Sequence, residues 1–339
     1  MGDVAIIAEQ LRANVEAVCR RYLSNGFRSG NYWMVGNYMN ERGQSMYVRL
    51  NGPTSGPQAR GKWTDNATGE YGDLLDLITL QNQFINIADA LDEARHFLML
   101  PHPPSGQLNN RAVPRATERT DTIARARKLF HMSQPIAGTL AETYLKSRSI
   151  IVPVQAALRF HANAYYRDKT GHQCQPPALL AAIRTATNKF TGVNKIWLKP
   201  DGSGVADIMF PKKVQGSLNG NAVWFGHSNE IQIVGEGVET ILALKTVRPD
   251  IAMAAALTAN HLAAFEPPAD LKFLVIARDN DRAGAQAASR LSARMSVLNI
   301  QTTVIVSRND DFNTDLKMFG TTFLKTKLSQ VLHDICVAA

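Results

Sequence analysis

Two groups of carboxylates, each following a short β-branched run, mark the last third of this 339-residue chain. The run Ile231-Gln-Ile-Val-Gly leads into Glu236, Gly237, Val238, Glu239 and Thr240. The run Phe273-Leu-Val-Ile-Ala-Arg leads into Asp279, Asn280, Asp281 and Arg282, followed by Ala283-Gly284-Ala285. Ligands of open α/β sheets bind beyond the carboxyl ends of the strands. Glu236, Asp279 and Asp281, delivered to such an edge by two strands, would repel one another unless a cation lay between them. Oxygen donors of this kind suit Mg2+ or Mn2+. An acidic edge loaded in this way is suited to the chemistry of phosphate groups.

The surroundings of the carboxylates sharpen this reading. Gly235 and Gly237 flank Glu236 and allow a sharp turn and close approach of a ligand. Alternate residues of an extended segment point the same way, so Asp279 and Asp281 project together. Asp281 has a second reading, as the cap of the helix that follows. A third acidic element, Arg308-Asn-Asp310-Asp311-Phe312-Asn313-Thr-Asp315, follows a later β-branched run. Either Asp311 or Asp315 is a candidate for a second metal, a solvated turn being the alternative.

The elements that must position these groups follow from periodicity. From residue 231 onward, strands at Ile231–Val234, Ala252–Ala256, Leu271–Ala277 and Thr302–Val306 alternate with helical patterns. Such alternation implies a parallel sheet with right-handed crossovers. A last amphipathic helix is expected over Thr322–Val337. Upstream, Leu158–His161, Ala178–Arg184, Gly192–Leu198 and Ala222–Phe225 read as strands, with a turn at Asp201-Gly-Ser-Gly204. Helices are expected over Thr122–His131 and Thr139–Lys146. The stretch Pro101–Thr120, rich in Pro, Ser, Asn and Arg, has no periodicity and reads as a linker. Before it, residues 4–24 read as one amphipathic helix. Tyr32–Val35 and Met46–Leu50 read as strands, Leu74–Leu80 as a helix capped by Asp73, and Ile85–Leu100 as another helix. The expected division is 1–100, a linker at 101–121, 122–228, 229–320 and a C-terminal helix at 321–339. The fold class is multidomain α/β.

Composition narrows the function classes. A net charge of +8 points to a polyanionic partner. Because the proposed site is acidic, the basic residues must concentrate elsewhere. The three cysteines, Cys19, Cys174 and Cys336, are far apart, and neither a disulfide framework nor a cysteine-rich zinc site is expected. No run is long and apolar enough to span a bilayer, and a cytoplasmic location without membrane attachment is the expectation. Gly56-Pro-Gln-Ala-Arg-Gly61-Lys62-Trp63 imitates a phosphate-binding P-loop, but Trp63 stands where Ser or Thr must hold Mg2+. The eight histidines form no metal-spaced group.

With these motifs in order, the segment from about 229 to 318 resembles a Toprim domain, the metal-binding module of bacterial primases, topoisomerases and some nucleases. The resemblance rests on Glu236 after the first strand and on Asp279 and Asp281 after the third. Glu-Gly followed by Asp-x-Asp-x-Ala-Gly resembles the primase branch. The Asp311-Phe-Asn-x-x-Leu316 element resembles an acidic stretch of plasmid, phage and mobile-element primases. Bacterial primases often carry an aspartate four residues after the glutamate. Here that place is Thr240, with Glu239 one position earlier as a substitute metal candidate.

Tyr144-Leu-Lys-Ser-Arg148-Ser-Ile150 and Gly192–Gly204 are similar to the domain that precedes Toprim in mobile-element primases, an α+β unit here. In that family the region carries basic residues for template and nucleotide phosphates. The matching candidates are Arg184, Lys195, Lys199, Lys212 and Lys213, either solvated singly or forming together a basic face opposite the acidic site. The first hundred residues resemble in layout a small α+β primase zinc ribbon whose zinc-ligating cysteines are missing, so no zinc is expected. Trp63 is either a base-stacking residue or a core residue, and Arg282 either a phosphate contact or a surface arginine.

The resemblance implies a DNA primase. Such an enzyme makes short primers on a single-stranded DNA template from nucleoside triphosphates, with Mg2+ or Mn2+ held by Glu236, Asp279 and Asp281. It leaves room for a separate replicative helicase as partner. Two rivals stand beside it: a metal-dependent nuclease with Glu236 as general base, and a DNA-binding replication factor without catalysis.

Overall fold

Backbone pairing and burial sort the chain into two compact units, Met1–Pro114 and Arg115–Ala339. The computed structural model describes residues 3–338 except 57, 82–86, 101–115, 152–155, 168–172, 209, 219 and 227–229. Most of the expected linker therefore lies outside the described residues.

In the first unit, helices α1 (Asp3–Ala13) and α2 (Val15–Tyr22) replace the single helix expected over 4–24. The break falls at Asn14, whose side chain donates to the carbonyl of Gln10. Asparagine competes in this way for backbone partners and disfavours helix continuation. Strands β1 (Phe27–Ser29), β2 (Tyr32–Val35), β3 (Met46–Arg49), β4 (Trp63–Asp65) and β5 (Tyr71–Gly72) follow. They form an antiparallel sheet in sequence order. Helices α3 (Leu74–Gln81) and α4 (Ile87–Leu98) complete the unit. Asp73 caps α3, its Oδ1 accepting from the amides of Leu75 and Asp76 at 3.1 Å.

The core of this unit gathers Ile7, Leu11, Val18, Trp33, Val48, Trp63 and Leu77. Trp63 is 1% exposed and donates Nε1–H to the carbonyl of Asp73 at 2.8 Å. That burial corrects the base-stacking reading: the ring faces the core and offers no open face to a nucleotide.

Asp65, the last residue of β4, is also 1% exposed. Burial pushes its carboxyl up to about 7, with Glu70 adding to the rise, against hydrogen bonds from Ala67 and Thr68. A carboxyl whose folded pKa is raised binds more protons folded than unfolded. Its contribution to stability is present at low pH and is lost as pH rises from about 4 through about 7. Asp65→Asn is therefore expected to raise the melting temperature of the full chain's first transition at pH 8 and to leave it unchanged near pH 4. Calorimetry at both pH values checks this.

The second unit opens with α5 (Ala116–Met132) and α6 (Leu140–Ser147), the latter capped by Thr139. Strands β6 (Leu158–His161), β7 (Tyr166–Arg167), β8 (Gln173–Cys174), β9 (Ala178–Arg184), β10 (Phe190–Trp197), β11 (Lys212–Gly216) and β12 (Ala222–Phe225) follow. Then come β13 (Ile231–Gly235), α7 (Val238–Val247), β14 (Ala252–Ala255) and α8 (Ala259–Ala263). The unit closes with β15 (Phe273–Arg278), α9 (Arg282–Val297), β16 (Gln301–Val306) and α10 (Phe312–Ala338), which Gly320 interrupts at φ 76°.

Strands β14, β13, β15 and β16 lie side by side and parallel, as the alternation implied. The antiparallel pairing of β12 with β14 joins them to β9, β10 and β11, so segments 122–228 and 229–320 share one sheet in the order β11-β10-β9-β12-β14-β13-β15-β16. Strand β6 pairs with β9 as well. Helices α6, α7 and α10 cover one face, around Leu179, Ile196, Val214, Ile233 and Val275. On the other face α5 packs over Leu180, Val193 and Trp197, and α8 and α9 over Val234, Ala254 and Ile276. Among the described residues no helix is long and apolar enough to cross a membrane.

Candidate metal and phosphate site

Parallel pairing sets the strand ends level. Gly235 of β13 lies opposite Ala277 of β15, so Glu236 and Asp279 leave the sheet at one edge. Gly235 is required by close packing: a Cβ there would stand 2.7 Å from the carbonyl of Ala277 and 3.0 Å from Ile241 Cδ1. Gly284, in the first turn of α9, marks where the carboxylates of Glu236 and Asp281 meet beside the backbone of Asp279. A Cβ on it would lie 3.0 Å from Glu236 Oε1, 3.1 Å from Asp281 Oδ1 and 2.9 Å from the carbonyl of Asp279. The glycine of the Asp-x-Asp-x-Ala-Gly pattern thus keeps open the space between the two carboxylate segments.

Asp279 is the most perturbed of these acids. Burial, then the charges of Asp311 and Asp281, push its carboxyl up to about 7, against a hydrogen bond from Thr240 and the charge of Lys212. Its Oδ1 is buried and has no hydrogen-bond partner among the described residues. A buried carboxylate oxygen left over in a cluster of like charges is what a cation would satisfy. Asp281 caps α9, Oδ1 accepting from the amide of Gly284 at 2.6 Å. Capping and proximity to Glu236 hold together for this residue, since the cap uses one carboxylate oxygen. Among the described residues, no three His, Cys, Asp or Glu side chains lie close enough to hold one ion as they stand. The oxygen-only donor set and the orphaned Asp279 Oδ1 nevertheless fit a hard divalent ion, after side-chain rotation at this edge.

The third acidic element divides. The loop after β16 is zipped to the Asp-x-Asp loop, the amide of Asn280 donating to the carbonyl of Asp310 at 2.9 Å. Asp311 caps the start of α10 through the amide of Thr314 at 2.6 Å, and its charge reaches Asp279. Asp315 is fully buried and accepts from the amides of Arg308 (2.6 Å) and Asn309 (2.8 Å) and from Asn309 Nδ2 (3.0 Å). Both its oxygens are consumed in holding the loop, so it is a loop-fixing residue and not a metal candidate. Asn313, 1% exposed, donates to the carbonyl of Arg148 at 2.7 Å and ties this element to the end of α6.

Glu239 also departs from the metal reading. It is 3% exposed, and its Oε1 accepts from Tyr144 Oη at 2.6 Å and pairs with Lys212 Nζ at 2.7 Å. Burial alone would raise its pKa, but the charge and hydrogen bond of Lys212 and the bond from Tyr144 hold it down to about 2. A carboxylate already neutralised by an ammonium is a poor metal ligand. The residue aligned with the missing aspartate, Thr240, instead serves Asp279 as a hydrogen-bond donor.

Of the five basic candidates upstream, Lys212 is the one whose charge is felt at the carboxylates. Strand alternation explains the rest. Val214 of β11 faces α7, so Lys212 faces it too, whereas Lys213 points to the opposite face. Lys195 lies directly across from Lys213, and Arg184 has the same facing as Leu180 and Ala182. Arg184, Lys195 and Lys213 therefore lie on the face that α5 covers, turned away from Lys212 and Glu239. Lys199 is paired with Asp207 at 3.2 Å beyond the end of β10. Arg282 is exposed at the start of α9. Sequence reasoning did not find Tyr144 as a partner of Glu239 or Thr240 as a partner of Asp279. The i to i+4 spacing of Glu236 and Thr240 on one helix start was the available signal for the latter.

Comparisons with known proteins agree with the geometry. Residues 231–322 match the family model of the Toprim domain. Residues 120–225 match a domain of unknown function, DUF7146. No curated protein matches the chain. Among solved structures, the Aquifex aeolicus primase (zinc-binding and RNA polymerase domains) is 16% identical, with 96% of this chain and 85% of that chain covered and a TM-score of 0.44. The RNA polymerase domain of Mycobacterium tuberculosis primase DnaG is 16% identical, with 61% and 82% covered and a TM-score of 0.40. The primase fragment of the bacteriophage T7 primase-helicase is 14% identical, with 57% and 73% covered and a TM-score of 0.36. With TM-scores below 0.5, none of the three bears on the function of this chain. The parallel strands, the acidic edge and the family match coincide: residues 231–322 of this chain are a Toprim domain.

Proposed function

We propose that the second unit is a primase-type nucleotidyltransferase, which joins a nucleotide to a primer 3′-hydroxyl on single-stranded DNA and releases pyrophosphate. The observation that carries this reading is the meeting of two segments at one edge: the Toprim carboxylates Glu236, Asp279 and Asp281, and Lys212 from the strand segment upstream. Glu236, Asp279 and Asp281 would hold Mg2+ or Mn2+, which when bound lowers the pKa of a coordinated hydroxyl and neutralises phosphate charge. The chain's own groups then have separate tasks. Lys212, held by Glu239, keeps a cation beside Asp279 where a triphosphate oxygen would otherwise meet only carboxylates. Gly237 begins α7 without a side-chain cap, so the first-turn amides remain available to a phosphate oxygen. Asp311 and Thr240 fix the charge and orientation of Asp279.

The resemblance of the upstream segment to mobile-element primases supports synthesis over hydrolysis. Incubation of the protein with single-stranded DNA, labelled nucleotides and Mg2+ or Mn2+, beside Asp279→Ala/Asp281→Ala, is the test. Short labelled products that the double variant lacks are the expected result. Template shortening without synthesis would instead identify a nuclease, and binding without either chemistry would leave a non-catalytic replication factor.

A further inference from the structure

The nine-stranded sheet ends at two strands that differ in kind. Strand β11 reads Lys212-Lys-Val-Gln-Gly216, an edge guarded by charge. Strand β16, at the other end, reads Gln301-Thr-Thr-Val-Ile-Val306, with no charge, no proline and an unbroken register. Edge strands are ordinarily blunted by charge, proline or a bulge, because their unpaired amides and carbonyls form a template for another strand. The amide of Gln301 donates to the carbonyl of Lys272, and that of Ser307 to the carbonyl of Arg278. The odd-numbered residues of β16 therefore face β15, and Thr302, Val304 and Val306 turn their N–H and C=O groups outward. Lys327 Nζ takes the carbonyl of Val306. Among the described residues the backbone groups of Thr302 and Val304 have no partner, and Val304 is 41% exposed. The open edge is thus a short segment centred on Thr303.

Helix α9 lies beside this edge. Arg294 donates to the carbonyls of Ala263 and Phe265 at 2.9 and 3.1 Å, which turns the flank of Arg290 and Arg294 toward α8. The opposite flank, on the β16 side, carries Ala285, Ser289, Ser292 and Ser296 in helical spacing. None of these is charged or larger than serine, and Ala285, Ser289 and Ser296 are exposed.

The occupant of the edge follows from these features. Association of a chain of net charge +8 with its own copy requires a contact without facing like charges, and this strand and helix flank carry none. A twofold contact also requires a patch that complements itself. Antiparallel pairing about Thr303 sets Thr302 opposite the partner's Val304 and Val304 opposite the partner's Thr302, so each free N–H meets a free C=O. The two Thr303 residues then lie at the dyad with Cα atoms about 4.5 Å apart, and cross-strand threonine pairs are favourable. Small residues on α9 allow the two helices to approach closely across the junction.

We propose that β16 pairs with β16 of a second copy of this chain, antiparallel about a dyad at Thr303, so that the two sheets continue into one and the α9 helices meet along Ala285, Ser289, Ser292 and Ser296. Because β13, β15 and β16 are parallel, this pairing points the carboxylate edges of the two copies to opposite ends of one continuous sheet. The proposal goes beyond the reaction above and needs neither metal nor nucleotide.

The test is sedimentation equilibrium of the nuclease-treated full chain in chelator over a series of protein concentrations. The wild type is expected at twice the mass of the chain. Thr303→Lys sets two ammonium groups against each other at the dyad and is expected to raise the dimer dissociation constant at least about tenfold. Thr303→Glu does the same with two carboxylates. An equimolar mixture of the two variants should regain the dimer, which misfolded variants could not do. Val304→Pro, which removes an outward N–H and no bond to β15, should also weaken the dimer. A monomeric wild type would overturn the proposal and leave the edge to a strand of another protein. A dimer that neither Thr303→Lys nor Val304→Pro weakens would overturn it as well, as would a mixture of the two charged variants that stays monomeric. Failure of primer synthesis would not, since this measurement contains no reaction.

Discussion

Asp279→Asn is expected to lower primer synthesis by on the order of 10²–10³-fold or more while making the metal-free protein more stable at pH 8. The two effects have one cause. Asp279 sits where burial and the charges of Asp311 and Asp281 push its carboxyl up to about 7. Its folded pKa is raised, so the folded state binds the extra proton between about pH 4 and 7, and stability falls as pH rises through that window. At pH 8 the ionised group is a liability of roughly 2–4 kcal/mol, which asparagine removes. For a unit of this size that corresponds to an increase of roughly 5–15 °C in melting temperature. Below pH 4 the variant and the wild type should melt alike.

Divalent metal supplies the sign test. Mg2+ or Mn2+ should stabilise the wild type at pH 8, because the ion binds the folded carboxylates. The effect should shrink at pH 6, where a proton competes for Asp279, and it should be small at both pH values in Asp279→Asn. Melting curves with and without metal at the two pH values measure all of this apart from activity. A wild type that metal leaves unchanged at pH 8 would remove the basis for the metal site.

The acidic edge was legible because each part of it is local. A β-branched run, a carboxylate and a helical start lie within ten residues, twice, and parallel pairing brings the two together. Long-range partners left no such mark. Lys212 and Glu239 are far apart in sequence, and β11 reads Lys-Lys-Val-Gln-Gly, a polar stretch with weak strand propensity. Without that strand its alternation could not be applied, and Lys212 could not be told from Lys213. The same gap hid the two-sided distribution of basic residues. Strands β4 and β5 were missed because each is only two or three residues long and held by neighbours rather than by its own pattern. Asp315 was over-read for the opposite reason: an acidic residue near a sheet edge looks like a ligand until the loop amides that consume it are placed.

The buried pair of Glu239 and Lys212 should respond asymmetrically to mutation. Lys212 is 46% exposed and Glu239 4% exposed at the side chain. Removing the lysine, as in Lys212→Met, leaves a buried carboxylate with the Tyr144 hydroxyl and a backbone amide but no counter-charge, at a cost of roughly 3–5 kcal/mol. Removing the acid, as in Glu239→Gln, leaves an ammonium that can turn toward water, at a cost of roughly 1–2 kcal/mol. The double variant should therefore be more stable than Lys212→Met, which chemical denaturation can decide. Glu239 has a depressed folded pKa, so its contribution is present above about pH 4.5 and is lost as pH falls toward 2. In Lys212→Met the acid side of the stability profile should move to higher pH or invert. Activity separates positioning from stability. Glu239→Gln keeps Lys212 but frees it from its anchor beside Asp279, so synthesis should fall while the fold persists. Lys212→Arg, which preserves charge and reach, should retain more activity than Lys212→Met. Equal activity in those two variants would mean that the ammonium beside Asp279 serves the fold alone.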